Sequence, residues 1–176
     1  MIDVTDSDLR EGLAASLHVQ RWVDEVASAA PFDSFESLRQ KSHDAATPLS
    51  PEEIDEALAS HPRIGERPVG QGQAQAFSTA EQQAPDVEDQ HLAKALAEGN
   101  ATYEKRFGRV FLIRAAGRSR AEIVAELDRR LVLDDASELE LVGQELRDIA
   151  LLRLEKLYGP AAAAGVAGVS ETGASA

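Results

Sequence analysis

The sequence predicts an all-α domain, a compact bundle of about seven or eight helices. Apolar residues recur at three- and four-residue spacing through most of the chain. Serine followed three residues later by glutamate opens several of these stretches, the pattern that caps a helix start. Only one short apolar run, residues 109–115, reads as a strand or as buried extended chain.

Each element follows from local signals. Thr5, Asp6 and Ser7 precede a loosely apolar helix within residues 1–18. Residues 19–30 carry Trp22, Val23, Val26 and Ala29 at helical spacing. Pro31 breaks that helix, and another restarts at Asp33 or Ser34 with Phe35 and Leu38 on its apolar side. His43 falls in it or at its end. Ser50, Pro51 and Glu53 then supply an N-cap, a proline at the first helical position and the reciprocal glutamate. Ile54, Ala57 and Leu58 face the core, and the helix is expected to reach His61. Residues 62–78 show no period, and so long a gap inside a compact domain is usually a functional loop.

Ser78 and Glu81 form another capping box. A long helix follows over residues 86–107, with Leu92, Leu96, Asn100, Tyr103 and Phe107 on one face. Gly117 ends the apolar run, and Ser119 with Glu122 caps a helix up to about Val132. The last helix starts near Asp134 or Asp135 and continues to Tyr158. The expected domain is therefore 1–159. Residues 160–176 are small and polar with little to bury, and are expected to be disordered.

Composition narrows the function. The formal charge is −13, which argues against nonspecific nucleic-acid binding, because that depends on neutralising phosphates. The same charge repels small anions, so an anionic substrate needs locally placed arginines. Of 18 basic residues, 14 are arginine. The chain has no cysteine, which excludes disulfides and thiolate chemistry. No two of the four histidines stand at metal-ligand spacing, so no metal is expected. No apolar run reaches membrane length, and the ending Ala174-Ser175-Ala176 is no peroxisomal address. Cytoplasm is the expected location.

A few residues stand out against this background. His61 precedes Pro62, which biases it towards extended backbone at a helix exit. There a histidine can complement the helix dipole, or act as a general acid or base, since it titrates near neutral pH. Ser78 and Glu81 read as a cap, and a glutamate in that position could also orient His61. Arg153 falls near the centre of an apolar stripe of the last helix, with Val142, Leu146, Ile149 and Leu157. A guanidinium does not deprotonate, so it needs either a structural carboxylate or a substrate anion. Asn100 also lies in an apolar stripe and must find hydrogen bonds.

In order, His61-Pro62, then Ser78 with Glu81-Gln82, then Asn100 with Tyr103 and Phe107-Gly108, then Arg153-Leu154, resemble the OHCU decarboxylases. OHCU is 2-oxo-4-hydroxy-4-carboxy-5-ureidoimidazoline. The resemblance spans roughly residues 19–158. It implies an all-α enzyme of urate degradation that needs no cofactor, is often a homodimer, and turns OHCU into (S)-allantoin and CO₂. It also implies His61 and Glu81 as catalytic residues. Pro62, Ser78, Arg153 and backbone groups near Leu112 and Ile113 would bind substrate. The chain departs from the family where Gln83-Ala84-Pro85-Asp86 follows Glu81-Gln82, where Phe107-Gly108 is followed by Arg109-Val110-Phe111, and in the loop carrying Arg63 and Arg67. Two alternatives stay open: a noncatalytic helical binding module on the same scaffold, and a lyase or hydrolase for a related ureido-ring acid.

Overall fold

The computed structural model describes residues 2, 4–61, 64, 90–160 and 162. Among them are seven helices and no strand, in keeping with the all-α expectation. The helices are α1 Asp6–Ser16, α2 Gln20–Ala27, α3 Phe35–Ala45, α4 Pro51–Leu58, α5 Gln90–Phe107, α6 Arg120–Arg130 and α7 Asp135–Tyr158. Most of the 62–78 loop, the Ser78–Glu81 cap, the expected first turn of α5 and nearly all of the tail lie outside the described residues. The chain divides into two compact units, Met1–Thr47 with Ile149–Ala176, and Pro48–Asp148.

The starts of α1, α3, α4, α6 and α7 are where the sequence places them, because side-chain oxygens satisfy the otherwise unpaired first N–H groups. Thr5 accepts from the Asp8 N–H at 3.1 Å. Ser34, Ser50 and Ser119 each accept from the third residue of the helix they open, with a reciprocal bond back to the cap. Asp134 accepts from the Ser137 N–H at 2.9 Å and so opens α7.

The first unit packs α1, α2 and α3 around Leu13, Trp22, Val26 and Leu38, all buried. Trp22 is held in register by its indole N–H, which donates to the Ser42 carbonyl at 2.9 Å. Residues 149–158 of α7 join this unit. Gly12 of α1 lets Tyr158 approach closely, since a Cβ there would fall 1.9 Å from the phenolic oxygen.

The second unit is organised by α5. Leu96, Tyr103 and Phe107 lie along one side of that helix and are buried. They meet Phe111 and Ile113 of the following segment and Ile123 and Leu127 of α6. Phe111 packs edge-on to the Tyr103 ring with centroids 5.2 Å apart, a favoured aromatic arrangement. The run 109–115 forms no strand, and residues 111–115 cross the core as irregular chain. Phe111, Leu112, Ile113 and Ala115 are buried in it. Gly108 and Gly117 bracket it with φ of 70° and 80°, the left-handed region that glycine enters without strain.

Candidate active site

The site begins at the end of α4. The Ser50 and Glu53 caps fix where this helix starts. It ends at Leu58, earlier than the spacing suggests, and a turn over Ala59 and Ser60 delivers His61. The proline that follows disfavours helical backbone at His61, which is the physical reason for the early stop. His61 is half-buried, and its Nδ1 lies 2.9 Å from the Ala57 carbonyl. A carbonyl only accepts, so Nδ1 carries a hydrogen whether the ring is neutral or charged. Nε2 is therefore the nitrogen that gains and loses a proton. One contact thus caps a helix-end carbonyl and fixes the tautomer of a candidate acid–base group.

Further along in the same unit, the Ile64 carbonyl accepts from Asn100 Nδ2 at 3.0 Å, which gives Asn100 the bond that its apolar surroundings require. Asn100 and Tyr103 stand one turn apart on α5. Tyr103 donates its hydroxyl to Glu138, and Glu138 receives Arg130. Arg130 and Glu138 are both 0% exposed. The guanidinium is bidentate, with Nε 2.9 and 3.0 Å from the two carboxylate oxygens and Nη2 close to Oε1. It also lies over the Phe111 ring, 4.9 Å from the centroid. Burial opposes the Arg130 charge, but the Glu138 bonds outweigh it and leave the pKa raised. Burial first, and then the bond to Glu138, push the Tyr103 hydroxyl upward, so it remains a proton donor.

Arg130 turns its Nη1 to the Leu112 carbonyl at 2.7 Å. From α7, Glu145 accepts the Arg114 N–H at 2.7 Å. The irregular segment is thus held by side chains where a strand would be held by a ladder. Arg130, Glu138 and Glu145 were not singled out by the sequence reading. A signal existed: Glu138 precedes Val142 and Leu146 at four-residue spacing, and Arg130 follows Ile123 and Leu127 on the buried side of α6.

Arg153 belongs to the first unit. It is 3% exposed, as its place in the stripe predicts, and Nη1 donates to the Ser16 carbonyl at 3.1 Å. The expected site residues therefore divide as follows. His61, Leu112 and Ile113 lie in the second unit, and Arg153 lies in the first. Pro62, Ser78 and Glu81 lie outside the described residues. Among the described residues no group of three or more acidic, histidine or cysteine side chains is placed to hold a metal.

Comparison with known proteins bears on this arrangement. The family model described as OHCU decarboxylase matches residues 3–155. The chain is 30% identical over 142 residues to the 2-oxo-4-hydroxy-4-carboxy-5-ureidoimidazoline decarboxylase of Haloferax volcanii, covering 78% of this chain and 81% of that protein. It is 32% identical over 139 residues to the mouse protein of the same name, covering 76% of each. A plant relative, the uric acid degradation bifunctional protein TTL of Arabidopsis thaliana, is 33% identical over 106 residues, and the match covers 58% of this chain and only 33% of the plant protein. Among solved structures, an OHCU decarboxylase crystallised in the presence of (S)-allantoin superposes with a TM-score of 0.68 over 88% of this chain and 98% of the other, at 24% identity. That last likeness is one of fold.

Proposed function

The chain belongs to the OHCU decarboxylase family, and we propose that it converts OHCU to (S)-allantoin and CO₂ in urate breakdown, without a cofactor. The observation that carries the mechanism is the anchored ring of His61, which leaves Nε2 as the titrating nitrogen. Loss of CO₂ leaves the bonding electron pair on the ring carbon. The neighbouring ring imine takes that pair up, so the substrate is its own electron sink. The ring nitrogen gains a proton, the ring hydroxyl loses its own and becomes a carbonyl, and a proton added to one face of the ureido-bearing carbon sets the chirality. His61 manages that proton, with Glu81 as its charged companion. Arg153 meets an anionic or ureido oxygen, which offsets the repulsion expected from a net charge of −13. Pro62, Ser78 and the backbone at Leu112 and Ile113 are the remaining substrate contacts of this reading, and holding the scissile bond perpendicular to the ring system is their orientation effect.

The test uses freshly generated OHCU. Its loss is followed by ultraviolet absorbance and the product enantiomer by circular dichroism. The wild-type chain should accelerate the decay and yield (S)-allantoin. His61→Ala should fold and lose roughly a hundredfold or more in rate, the usual scale for a general acid–base group. Undiminished activity in that variant would remove the histidine from the chemistry. No acceleration by the wild-type chain, with stable capture of another protein, would favour a binding module. A cytoplasmic homodimer is part of the same reading, and light scattering of the purified chain tests the dimer.

A further inference from the structure

The two side chains that hold residues 112–114 do so in a specific way. Arg130 Nη1 takes the Leu112 carbonyl, and Glu145 takes the Arg114 N–H, each at 2.7 Å. Leu112 C=O shares its peptide plane with the Ile113 N–H, and Arg114 N–H shares its plane with the Ile113 C=O. Both peptides are trans, so the two groups in each plane point in opposite directions. Fixing the first group of each plane therefore fixes the direction of the second. The N–H and C=O of Ile113 are aimed away from Arg130 and Glu145 respectively.

Among the described residues neither of these two groups of Ile113 has a hydrogen-bond partner. The residue is 4% exposed. Buried backbone groups are almost always paired, with protein, water or ligand. A donor and an acceptor on one residue suit a ureido or amide group, which offers the complementary pair. The clamps are themselves fixed. Arg130 is bidentate on Glu138, which Tyr103 also binds, and Glu145 is carried on α7, with Arg118 at 3.9 Å too distant to set its direction.

We propose that Arg130 and Glu145 are positioning residues, which set the two peptide planes around Ile113 and so present its N–H and C=O to the ureido group of the substrate. This rests on the reading of residues 112 and 113 as substrate contacts given above. It adds why an irregular segment can serve as a precise binding edge: its geometry is imposed by two charged side chains from α6 and α7, through charge-assisted bonds.

Glu145 is the practical handle, because it is only half-buried whereas Arg130 lies in the core. Steady-state kinetics with OHCU are compared for wild type, Glu145→Ala, Glu145→Gln and Arg118→Ala, with thermal melts on each. Glu145→Ala should raise KM roughly tenfold, the size expected for one hydrogen bond to a charged group, with a smaller change in kcat. Glu145→Gln keeps an acceptor for the Arg114 N–H and should restore KM to within about threefold of wild type. Arg118→Ala removes the ion pair to Glu145 but leaves the Arg114 bond, and should keep the wild-type KM. If Glu145→Ala keeps the wild-type KM and only its folded fraction falls, the clamp is structural and the proposal is overturned. Equal KM values for the alanine and glutamine variants, or a raised KM in Arg118→Ala, would also overturn it. Inactivity of the wild-type chain itself would remove the functional reading together with this one, and is thereby distinct from a failure of the clamp alone.

Discussion

Removing the Arg130 side chain should separate the energetics of the buried pair from its geometry. In Arg130→Met, Glu138 keeps its charge at a position with no solvent exposure. It loses both bonds from Nε, at 2.9 and 3.0 Å, and the contact from Nη2. Breaking one side of such a pair typically costs about 3–5 kcal/mol, because a buried charge is left uncompensated. The double variant Arg130→Met, Glu138→Leu removes both charges. It still strands the Leu112 carbonyl and the Tyr103 hydroxyl. At about 1 kcal/mol each, it should lie about 2 kcal/mol below wild type and therefore above the single variant. Urea unfolding reads both values, provided the m-values agree. A loss below about 1 kcal/mol in the single variant would refute the buried pair. A double variant no more stable than the single would refute the claim that the stranded charge is the main cost.

Two further outcomes follow from packing and protonation. Gly99→Ala would place a Cβ 2.4 Å from Leu127 Cδ2 in the core between α5 and α6. The gain of about 1 kcal/mol in helix propensity should be exceeded by an overpacking cost of about 1–3 kcal/mol, lowering stability in the same urea assay. For pH, Glu122 is held below its ordinary value first by the Ser119 backbone N–H and then by the Ser119 side chain, and Asp134 likewise by Ser137. Folded pKa values below the unfolded ones mean stability that is fully present above the unfolded carboxylate range and lost as pH falls through the folded values. The melting temperature should therefore drop as pH falls below about 4, and Glu122→Gln should weaken that dependence. A melting temperature flat from pH 6 down to about 3 would contradict the capping account.

The helices were legible because their signals are local. Ser50 and Ser119 cap where the glutamate three residues on says they should, and Ser34 caps α3 at one of the two starts expected there. Arg153 was legible as an interior cation because a single helix projection places it among Val142, Leu146 and Ile149. The same projection applied to Glu138 would have flagged an interior carboxylate, but Glu138 stands among Glu140 and Asp135 and looks like solvated surface. Arg130 is likewise masked by Arg129, whose guanidinium pairs with Glu126 at the surface. That those two interior charges meet depends on how α6 and α7 pack, which no local pattern carries. The run 109–115 was rightly read as strand or extended chain from its apolar content. Its backbone partners are side chains 18 and 31 residues further along, so periodicity could not choose between the two.

One turn of α5 serves as a gauge. Asn100 grips the chain just past His61, and Tyr103 begins the relay that ends at the Leu112 carbonyl. Three residues of helix advance about 4.5 Å, so the interval between these two moorings is dictated by helical rise, the least adjustable length a polypeptide offers. Adding or deleting a single residue between them would swing one mooring through about 100° and release it from its line. Ala101 and Thr102, the exposed residues between the moorings, should therefore tolerate exchanges of side chain far better than any change in their count.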